Sequence, residues 1–243
     1  MLRLEGVSKS YGKIAALRDV SLRLPAGTLA AVAGEDGAGK TTLLKCVIGL
    51  AKTNSGLIFF EGAPVSDGFV GLRRAAGFMP EKFSLYPDLT VSETLDFAAD
   101  IHGLTLSVRR ERKEKLLRRM ALAGFEKRRA GALSGGMRQK LALMAAMIHE
   151  PRLLVLDEPT EGLDPLSRIE ILRMLTELKA EGRTILFSTT NIEEAEAADA
   201  FFYLVNGRLR LSGSVLDLKR AFGLSLENIC ALEEGRERDP SRG

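Results

Sequence analysis

Hydrophobic and polar residues follow two rhythms along this chain, and each rhythm predicts a different kind of element. Near the N-terminus they alternate, as in Leu2-Arg3-Leu4 and Val20-Ser21-Leu22-Arg23-Leu24, which predicts antiparallel strands. Short apolar runs at residues 29–33, 76–79, 153–156 and 184–188 are typical of buried strands, and helical patterns lie between most of them. This succession predicts an α/β fold with a mostly parallel core sheet and an antiparallel β region.

Strand signals disappear between residues 81 and 132. Thr90-Val91-Ser92-Glu93 is a capping box, and it predicts a helix that continues to about His102. A second helix, rich in Arg, Glu and Lys, is expected to begin at Ser107. We therefore expect one domain over residues 1–232, with a core of residues 1–80 and 133–232 and an inserted α-helical subdomain of residues 81–132.

The alternation of helices and strands returns after Ser134. Asp164 is expected to cap a helix with Pro165 at its first position, and Asn206-Gly207 predicts the turn of a hairpin within residues 201–212. Phe222-Gly223 is expected to end the last helix, and residues 225–229 to form a short closing element. Residues 233–243 are charged and lack periodicity, which predicts a tail, a linker or a cut end.

Composition places the chain among soluble globular proteins, with 45% hydrophobic and 28% charged residues in 243. We expect a protein that is neither secreted nor membrane-spanning, because no apolar run is long enough and Met1-Leu2-Arg3 does not open a signal peptide. The net charge of +3 is too small to indicate nucleic acid. Cys46 and Cys230 are isolated thiols, and two histidines without a Cys cluster indicate no zinc site.

Basic residues are concentrated in one stretch of the predicted subdomain. Residues 109–129 contain ten basic and three acidic side chains, a local excess of seven positive charges. A solvated helical face explains such a stretch, and so does a surface close to an anionic membrane or an acidic partner.

A phosphate-binding loop is predicted at residues 34–42, which fit the pattern G-x-x-x-x-G-K-[ST] between a buried strand and a helix. Glycines let successive backbone N–H groups and the helix N-terminus point at a phosphate. Lys40 adds a positive charge near the β- and γ-phosphates, and the Thr41 hydroxyl can bind Mg²⁺. The motif consists of Gly34, Glu35, Asp36, Gly37, Ala38, Gly39, Lys40, Thr41 and Thr42.

Two further motifs carry phosphate chemistry. The apolar run 153–156 delivers Asp157 and Glu158 to the carboxyl end of a strand, where open α/β sheets bind ligands. Asp157 is the natural partner of Thr41 for Mg²⁺, and Glu158 can orient or deprotonate an attacking water. Leu133-Ser134-Gly135-Gly136 opens a helix with bare N–H groups, a second anion site that indicates service to a different molecule.

Together these motifs resemble the nucleotide-binding subunit of an ATP-binding cassette (ABC) transporter over nearly the whole chain. Residues 34–42 match Walker A, residues 133–136 the signature, and Asp157-Glu158 the end of Walker B. The resemblance implies the ABC ATPase variant of the P-loop NTPase fold, with ATP and Mg²⁺ as ligands. It also implies that Tyr11 stacks on adenine, that residues 161–164 form the D-loop, and that residues 81–132 face a transmembrane partner.

The resemblance further implies a head-to-tail dimer, in which each ATP lies between one Walker A motif and the opposite Ser134-Gly135-Gly136. Residues 78–80 and 83–87 are most similar to multidrug-export cassettes. We therefore expect a cytoplasmic protein, peripheral at the inner face of a membrane, that binds a transmembrane subunit and a second cassette but no nucleic acid.

Two residues depart from the family pattern. Glu81 stands where the family has a glutamine, and Thr190 stands where it has a histidine that holds the γ-phosphate and the attacking water. A Thr hydroxyl is a shorter, uncharged donor, so we expect the change to reduce turnover more than binding. Glu81 can still ligate Mg²⁺, although it adds negative charge. Glu35 and Asp36 add carboxylates to a loop face that solvation alone explains.

These departures lead to the hypothesis of a degenerate cassette. Its own site, with Lys40, Glu158 and Thr190 as catalytic residues, would bind Mg-ATP and hydrolyse it slowly. Its signature would complete the site of another cassette, in a separate subunit or in the second half of a longer chain. Three functions stay open at this point: an export motor, an ATP-gated regulatory module with negligible hydrolysis, and a soluble cassette ATPase that acts on ribosomes or DNA.

Overall fold

The secondary structure alternates helices and strands after an N-terminal hairpin. A computed structural model describes residues 1–65, 68–82 and 85–238, so the predicted motif residues Phe83 and Ser84 lie outside the described residues. The strands are β1 (Leu2–Tyr11), β2 (Ile14–Leu24), β3 (Leu29–Ala33), β4 (Ser55–Phe60), β5 (Ala63–Pro64), β6 (Ala76–Met79), β7 (Leu153–Leu156), β8 (Thr184–Thr189), β9 (Ala200–Val205) and β10 (Arg208–Ser214).

The helices connect these strands and form the insert between β6 and β7. They are α1 (Lys40–Val47), α2 (Val70–Ala75), α3 (Val91–Ile101), α4 (Leu106–Arg119), α5 (Gly135–Met147), α6 (Pro165–Ala180), α7 (Ile192–Ala195), α8 (Val215–Phe222) and α9 (Leu226–Arg238). The α/β prediction is confirmed.

Two sheets carry the strands. β2, β1, β4 and β5 form an antiparallel sheet in that order, which confirms the prediction from the alternating N-terminal pattern. The second sheet has the order β10-β9-β3-β8-β7-β6, in which only the pairing of β9 with β10 is antiparallel. The turn of that hairpin is Asn206-Gly207, as predicted, and both residues have positive φ.

The six-stranded sheet separates two hydrophobic cores. Along β3, Leu29, Ala31 and Ala33 pack on the side of α5 and α6, whereas Ala30 and Val32 pack on the side of α1 and the antiparallel sheet. All five residues are buried, because a parallel strand covered on both faces exposes neither side. The helical insert joins the first core through buried residues of α3 and α4, including Leu95 and Leu116.

Capping interactions fix the starts of the predicted helices. The Glu93 N–H donates to Thr90 Oγ1 at 3.2 Å, and the Thr90 N–H donates to Glu93 Oε2 at 2.8 Å, so the predicted capping box is confirmed. Thr105, rather than Ser107, precedes the next helix. Asp164 caps α6 by accepting the Ser167 N–H at 3.0 Å, with Pro165 at the first helical position as predicted.

Several basic residues of the 109–129 stretch pair within the chain. Arg112 pairs with Glu150 at 2.7 Å, Lys113 with Asp96 at 2.8 Å, and Arg119 with Glu181 at 2.7 Å. The pairs connect α4 with α3, with the end of α5 and with the end of α6. Such pairs favour the interpretation of the stretch as a solvated helical face.

The C-terminus departs from the prediction. Gly223 does end α8, in a left-handed conformation with φ 65°, but α9 follows, so the prediction that Phe222-Gly223 ends the last helix is wrong. The segment expected as a short closing element is the start of α9, where Leu226, Ile229 and Cys230 are fully buried in the core. These residues recur over one turn only, too short a pattern to predict a helix. The helix continues to Arg238, and residues 239–243 lie outside the described residues.

The two histidines of the chain stack on each other, with ring centroids 3.5 Å apart. His102 follows α3 and His149 follows α5, and His149 Nε2 lies 3.1 Å from the Ala76 carbonyl oxygen at the start of β6. Burial and the neighbouring His102 lower the pKa of His149 from 6.5 to about 4. The stack thus joins the helical insert to the core sheet through a ring that the fold keeps neutral.

Replacing His149 by Phe is expected to reduce the loss of stability in acid. Because the folded state depresses the pKa of His149, the unfolded chain binds more protons than the folded chain between about pH 6.5 and pH 4. The contribution of His149 to the free energy of unfolding is therefore lost as pH falls through this range. A phenylalanine at this position does not titrate and removes this pH dependence. Urea unfolding at pH 7.5 and pH 5 measures the difference for both proteins. An equal decrease in the two proteins would contradict the depressed pKa.

A methyl group at Gly77 is expected to destabilise the fold by about 1–3 kcal/mol. Gly77 lies in β6, and a Cβ there would collide with the carbonyl oxygen of Ala146 on α5. Gly213→Ala is the matched control, since its Cβ would meet Leu218 Cγ at an ordinary 3.4 Å, also within a strand. Urea denaturation of both variants checks the prediction, and equal stabilities would contradict it.

Candidate active site

The carboxyl ends of three neighbouring strands meet at one edge of the six-stranded sheet. Ala33 of β3 pairs with Thr189 of β8, and Phe187 of β8 pairs with Leu156 of β7. The residues that follow these strands begin at Gly34, Thr190 and Asp157. Residues of all three segments line an open cavity of about 510 Å³. Its lining includes Asp36, Gly37, Gly39, Lys40, Thr41, Thr42, Glu81, Glu158, Glu161 and Thr190.

The loop between β3 and α1 encloses the ammonium group of Lys40. Lys40 is 6% exposed, and its Nζ donates to the carbonyl oxygens of Gly34 at 2.9 Å and Glu35 at 3.2 Å. The loop needs glycine at position 39, where φ is 108° and a Cβ would lie 2.5 Å from the Ala16 carbonyl oxygen. Asp36 lies 4.0 Å from Lys40 Nζ with a fully exposed side chain, which leaves that pair weak.

Glu158 completes the surroundings of Lys40. Its Oε1 lies 3.2 Å from Lys40 Nζ, and its Oε2 accepts the backbone N–H of Thr190 at 3.1 Å. Burial raises the pKa of Glu158 above its ordinary value of 4.5, although Lys40 opposes that shift. A buried carboxylate with a raised pKa, facing a cavity, is suited to orient a water and to accept its proton.

Thr41 and Asp157 form the predicted pair of oxygen ligands. The Thr41 hydroxyl donates to Asp157 Oδ1 at 3.1 Å, and Asp157 Oδ2 is buried without a hydrogen-bond partner among the described residues. That carboxylate oxygen fits a cation, because buried carboxylate atoms rarely stay unsatisfied. Mg²⁺ is usually held by one or two protein oxygens, with waters and phosphates as its other ligands. Thr41 and Asp157 would hold the ion, which when bound neutralises charge on the phosphates.

Glu81 contributes to the cavity but not to a metal cluster. Its side chain lines the same cavity as Lys40 and Thr41. In the described part of the chain, no group of three or more His, Cys, Asp or Glu side chains is placed to hold a metal ion. Direct ligation of Mg²⁺ by Glu81 therefore stays a prediction.

The other predicted binding residues lie outside the cavity wall. Tyr11 ends β1 with half of its surface exposed and the Lys9 ammonium 4.8 Å above its ring, while its strand partner Ile14 lines the cavity. Ser134, Gly135 and Gly136 lie at the N-terminus of α5, where the Met137 N–H donates to Ser134 Oγ at 3.3 Å. The three signature residues are not part of the wall around Lys40. Their service to a different nucleotide stays a prediction.

Sequence reasoning missed several residues of the site. Ser188 donates its hydroxyl to Asp157 Oδ1 at 2.7 Å and accepts the Glu158 N–H at 2.9 Å. A polar residue near the carboxyl end of the buried strand β8 was the available signal. The β9–β10 turn supports the loop through the Gly207 N–H, which donates to Ala38 O at 2.9 Å. Arg18 and Asn206 also line the cavity. The sequence predicts Asn206 only as a turn residue, and no local pattern assigns either residue to the site.

Comparison with known proteins identifies the family of this fold and site. The family model described as "ABC transporter" matches residues 17–161, which contain the phosphate loop, the signature and the Asp157-Glu158 pair. The chain belongs to the ABC transporter family, as one of its ATP-binding cassettes. Members of this family bind ATP, typically with Mg²⁺, generally hydrolyse it, and act with transmembrane subunits.

Similar proteins include several bacterial ATP-binding proteins. The probable multidrug ABC transporter ATP-binding protein YbhF of Escherichia coli (strain K12) is 39% identical over 215 residues, 88% of this chain and 37% of the relative. The chain thus spans little more than a third of that relative's length. The uncharacterized ABC transporter ATP-binding protein YxlF of Bacillus subtilis (strain 168) is 36% identical over 221 residues, 90% of this chain and 73% of the relative.

Solved structures agree with the fold. A protein described as the ATP-binding subunit of an ABC transporter superimposes with a TM-score of 0.86 and 35% identity, over 96% of this chain and 99% of that chain. The ATP-binding cassette MJ0796, a dimer in a post-hydrolysis state bound to ADP and Pi, gives a TM-score of 0.81 and 27% identity, over 88% of this chain and 98% of that chain. The predicted ABC ATPase fold is confirmed.

Ser188→Ala is expected to weaken Mg²⁺-dependent ATP binding by about 10- to 100-fold, because Asp157 loses the hydroxyl that orients its carboxylate. Calorimetric titration of ATP at a series of Mg²⁺ concentrations measures the effect. Ser92→Ala is the control, since that serine also faces an aspartate, Asp96, but lies on the helical insert. An unchanged Mg²⁺ requirement in Ser188→Ala would exclude this role.

Proposed function

We propose that the chain is the motor of an export transporter, and that its own site binds Mg-ATP tightly but hydrolyses it slowly. The observation that carries this proposal is Thr190, whose backbone N–H contacts Glu158 while its exposed side chain lines the phosphate cavity. A Thr side chain is shorter than that of the histidine that the family has at this position, so its hydroxyl cannot reach as far as the imidazole would. Phosphoryl transfer depends on positioning and charge stabilisation, so losing this donor lowers turnover while the loop still binds phosphate.

The charges of the cavity support a requirement for Mg²⁺. Glu81, Glu158, Glu161 and Asp36 line it together with Lys40 and one other cationic side chain, that of Arg18. A triphosphate entering this space meets several carboxylates, whose repulsion a bound cation offsets. Glu81 adds one negative charge to this set in place of a neutral amide.

Dimerisation with a second cassette is supported by the separation of the signature from the cavity around Lys40. The N-terminal N–H groups of α5, beside Ser134, form an anion site that this chain's own phosphate loop does not use. The relative MJ0796 was solved as a dimer with ADP and Pi. We propose that Ser134-Gly135-Gly136 completes a site on another cassette, either a separate subunit or another part of a longer chain.

Docking to a transmembrane subunit is supported by an apolar surface on the helical insert. Phe97 and Ile101 on α3, Leu106 on α4, and Tyr86 are exposed, and the Tyr86 and Phe97 rings meet edge to face at 5.6 Å. Exposed apolar clusters of this kind are typical of interaction sites.

No helix in the described part of the chain is long and apolar enough to cross a membrane. We propose a cytoplasmic location at the inner face of the membrane, because members of the family act with transmembrane subunits. Relatives with multidrug and linearmycin-resistance descriptions support export as the direction of transport.

A second function is favoured by the same two departures. If Glu81 and Thr190 together abolish turnover, the chain acts as an ATP-gated module that regulates its partner. Tight binding of Mg-ATP with no phosphate release, alone and with a partner cassette, would select this alternative.

Thr190→His is expected to increase phosphate release from Mg-ATP by about 10- to 100-fold, because it restores a donor near the transferred phosphoryl group. Steady-state phosphate release measures turnover, and calorimetry measures Mg-ATP affinity, which is expected to change little. Glu81→Gln and the double variant test whether the second departure adds to the first.

Thr176→His is the matched control, since Thr176 is an exposed threonine on α6 away from the cavity. Wild-type turnover as fast as that of Thr190→His would overturn the slow-site proposal. A wild-type chain that binds no Mg-ATP would overturn the proposed function as a whole.

A further inference from the structure

Gln139 is a buried polar residue on α5, the signature helix, and it faces residues 157–161 after β7, which we call the Walker B turn. It lies on α5, five residues after Ser134, and is 2% exposed. Its Nε2 donates to the carbonyl oxygen of Pro159 and lies 3.4 Å from the carbonyl oxygen of Glu158. Both partners are acceptors, so only the amide nitrogen can face them. A buried amide without partners is costly, and these contacts therefore fix its position.

The turn that Gln139 contacts has an uncommon backbone conformation. Glu158 has φ 47°, a left-handed value that non-glycine residues adopt rarely and at a cost. Pro159 follows directly and has no N–H to donate. Within the turn, the Glu158 carbonyl oxygen also accepts the Glu161 N–H at 3.2 Å. This conformation directs the Glu158 carboxylate to Lys40 and to the Thr190 N–H.

We propose that Gln139 is a positioning residue for Glu158, and that it couples the signature helix to the Walker B turn of the same chain. The proposal rests on the proposed function in one respect: in a cassette dimer the N-terminus of α5 faces the nucleotide of the other cassette. Contact with one nucleotide is then connected, through a helix segment about 7.5 Å long, to the general base that acts on another. A displacement of about 1 Å is sufficient to change turnover strongly.

Gln139→Met tests the positioning role, because it keeps the approximate shape of the side chain and removes the amide. We expect the turnover number to fall about 10- to 100-fold with little change in the affinity for Mg-ATP. We also expect faster hydrogen–deuterium exchange of backbone amides in residues 157–161, with exchange in β8 unchanged. Lys140→Met is the matched control, since the neighbouring Lys140 pairs with Glu170 on α6 at 2.8 Å instead.

Gln139→Glu adds a pH-dependent readout. A buried carboxylate beside two carbonyl oxygens is repelled, whereas its protonated form can donate one hydrogen bond. The turnover of this variant, divided by that of the parent protein, is expected to rise as pH falls from 8 to 6. Gln139→Met lacks a titratable group at this position, and its ratio is expected to stay constant. A constant ratio in both variants would contradict the role of the hydrogen bond.

The two proposals fail in different ways. Turnover is measured in the wild-type and Thr190→His backgrounds, and the ratio of variant to parent is compared within each background. Exchange of residues 157–161 requires no hydrolysis, so it decides the positioning role even if both backgrounds are inactive. Unchanged exchange in Gln139→Met, or unchanged turnover wherever the parent is active, would overturn the role of Gln139. A chain that binds no Mg-ATP would overturn only the proposed function.

Discussion

The buried ammonium group of Lys40 holds the site together, because a charge removed from water requires partners close by. Those partners come from different parts of the sheet edge: two carbonyl oxygens from the loop after β3, and the carboxylate of Glu158 after β7. β8 lies between these strands, and the residue that follows it, Thr190, contributes a backbone N–H to the same carboxylate. One cation thus links three strand ends, and displacement of any of them changes the surroundings of the other two.

This arrangement explains how nucleotide binding and hydrolysis can be separated. In the proposed function, binding depends on the backbone N–H groups of residues 34–42 and on Lys40, and the side chain at position 190 contributes to neither. The contact that Glu158 receives from position 190 comes from the backbone N–H of Thr190, which any residue except proline could supply. The threonine therefore leaves the carboxylate in place and changes only what the side chain can reach. A substitution at this position is therefore expected to alter the chemistry of the site while the contact that holds Glu158 is kept.

The sequence predicted the parts of this structure that depend on local patterns. The phosphate loop, the Thr90 capping box and the Asn206-Gly207 turn each need particular residues at fixed spacing, so a single stretch was sufficient. Features that depend on distant residues escaped prediction. The stack of His102 on His149 joins two residues that are 47 positions apart in the sequence. Helix α9 is stabilised by the burial of Ile229 and Cys230 against residues from other parts of the chain. Gln139 did leave a signal, since it shares the buried side of α5 with Leu143, Ala146 and Met147, where an apolar residue is expected.

The alternation of β3 between two cores has a consequence for how mutations combine. Ala31 and Val32 are neighbours in the chain, yet Ala31 packs on the side of α5 and α6, whereas Val32 packs on the side of α1 and the antiparallel sheet. Their side chains share few packing partners, because the sheet backbone separates them. The energetic effects of substitutions at Ala31 and at Phe187, which are cross-strand partners in one core, should therefore depend on each other more strongly than those at Ala31 and Val32. A change that compensates for a substitution at Ala31 is therefore expected on the neighbouring strand, at Phe187, and not at the next residue of the chain.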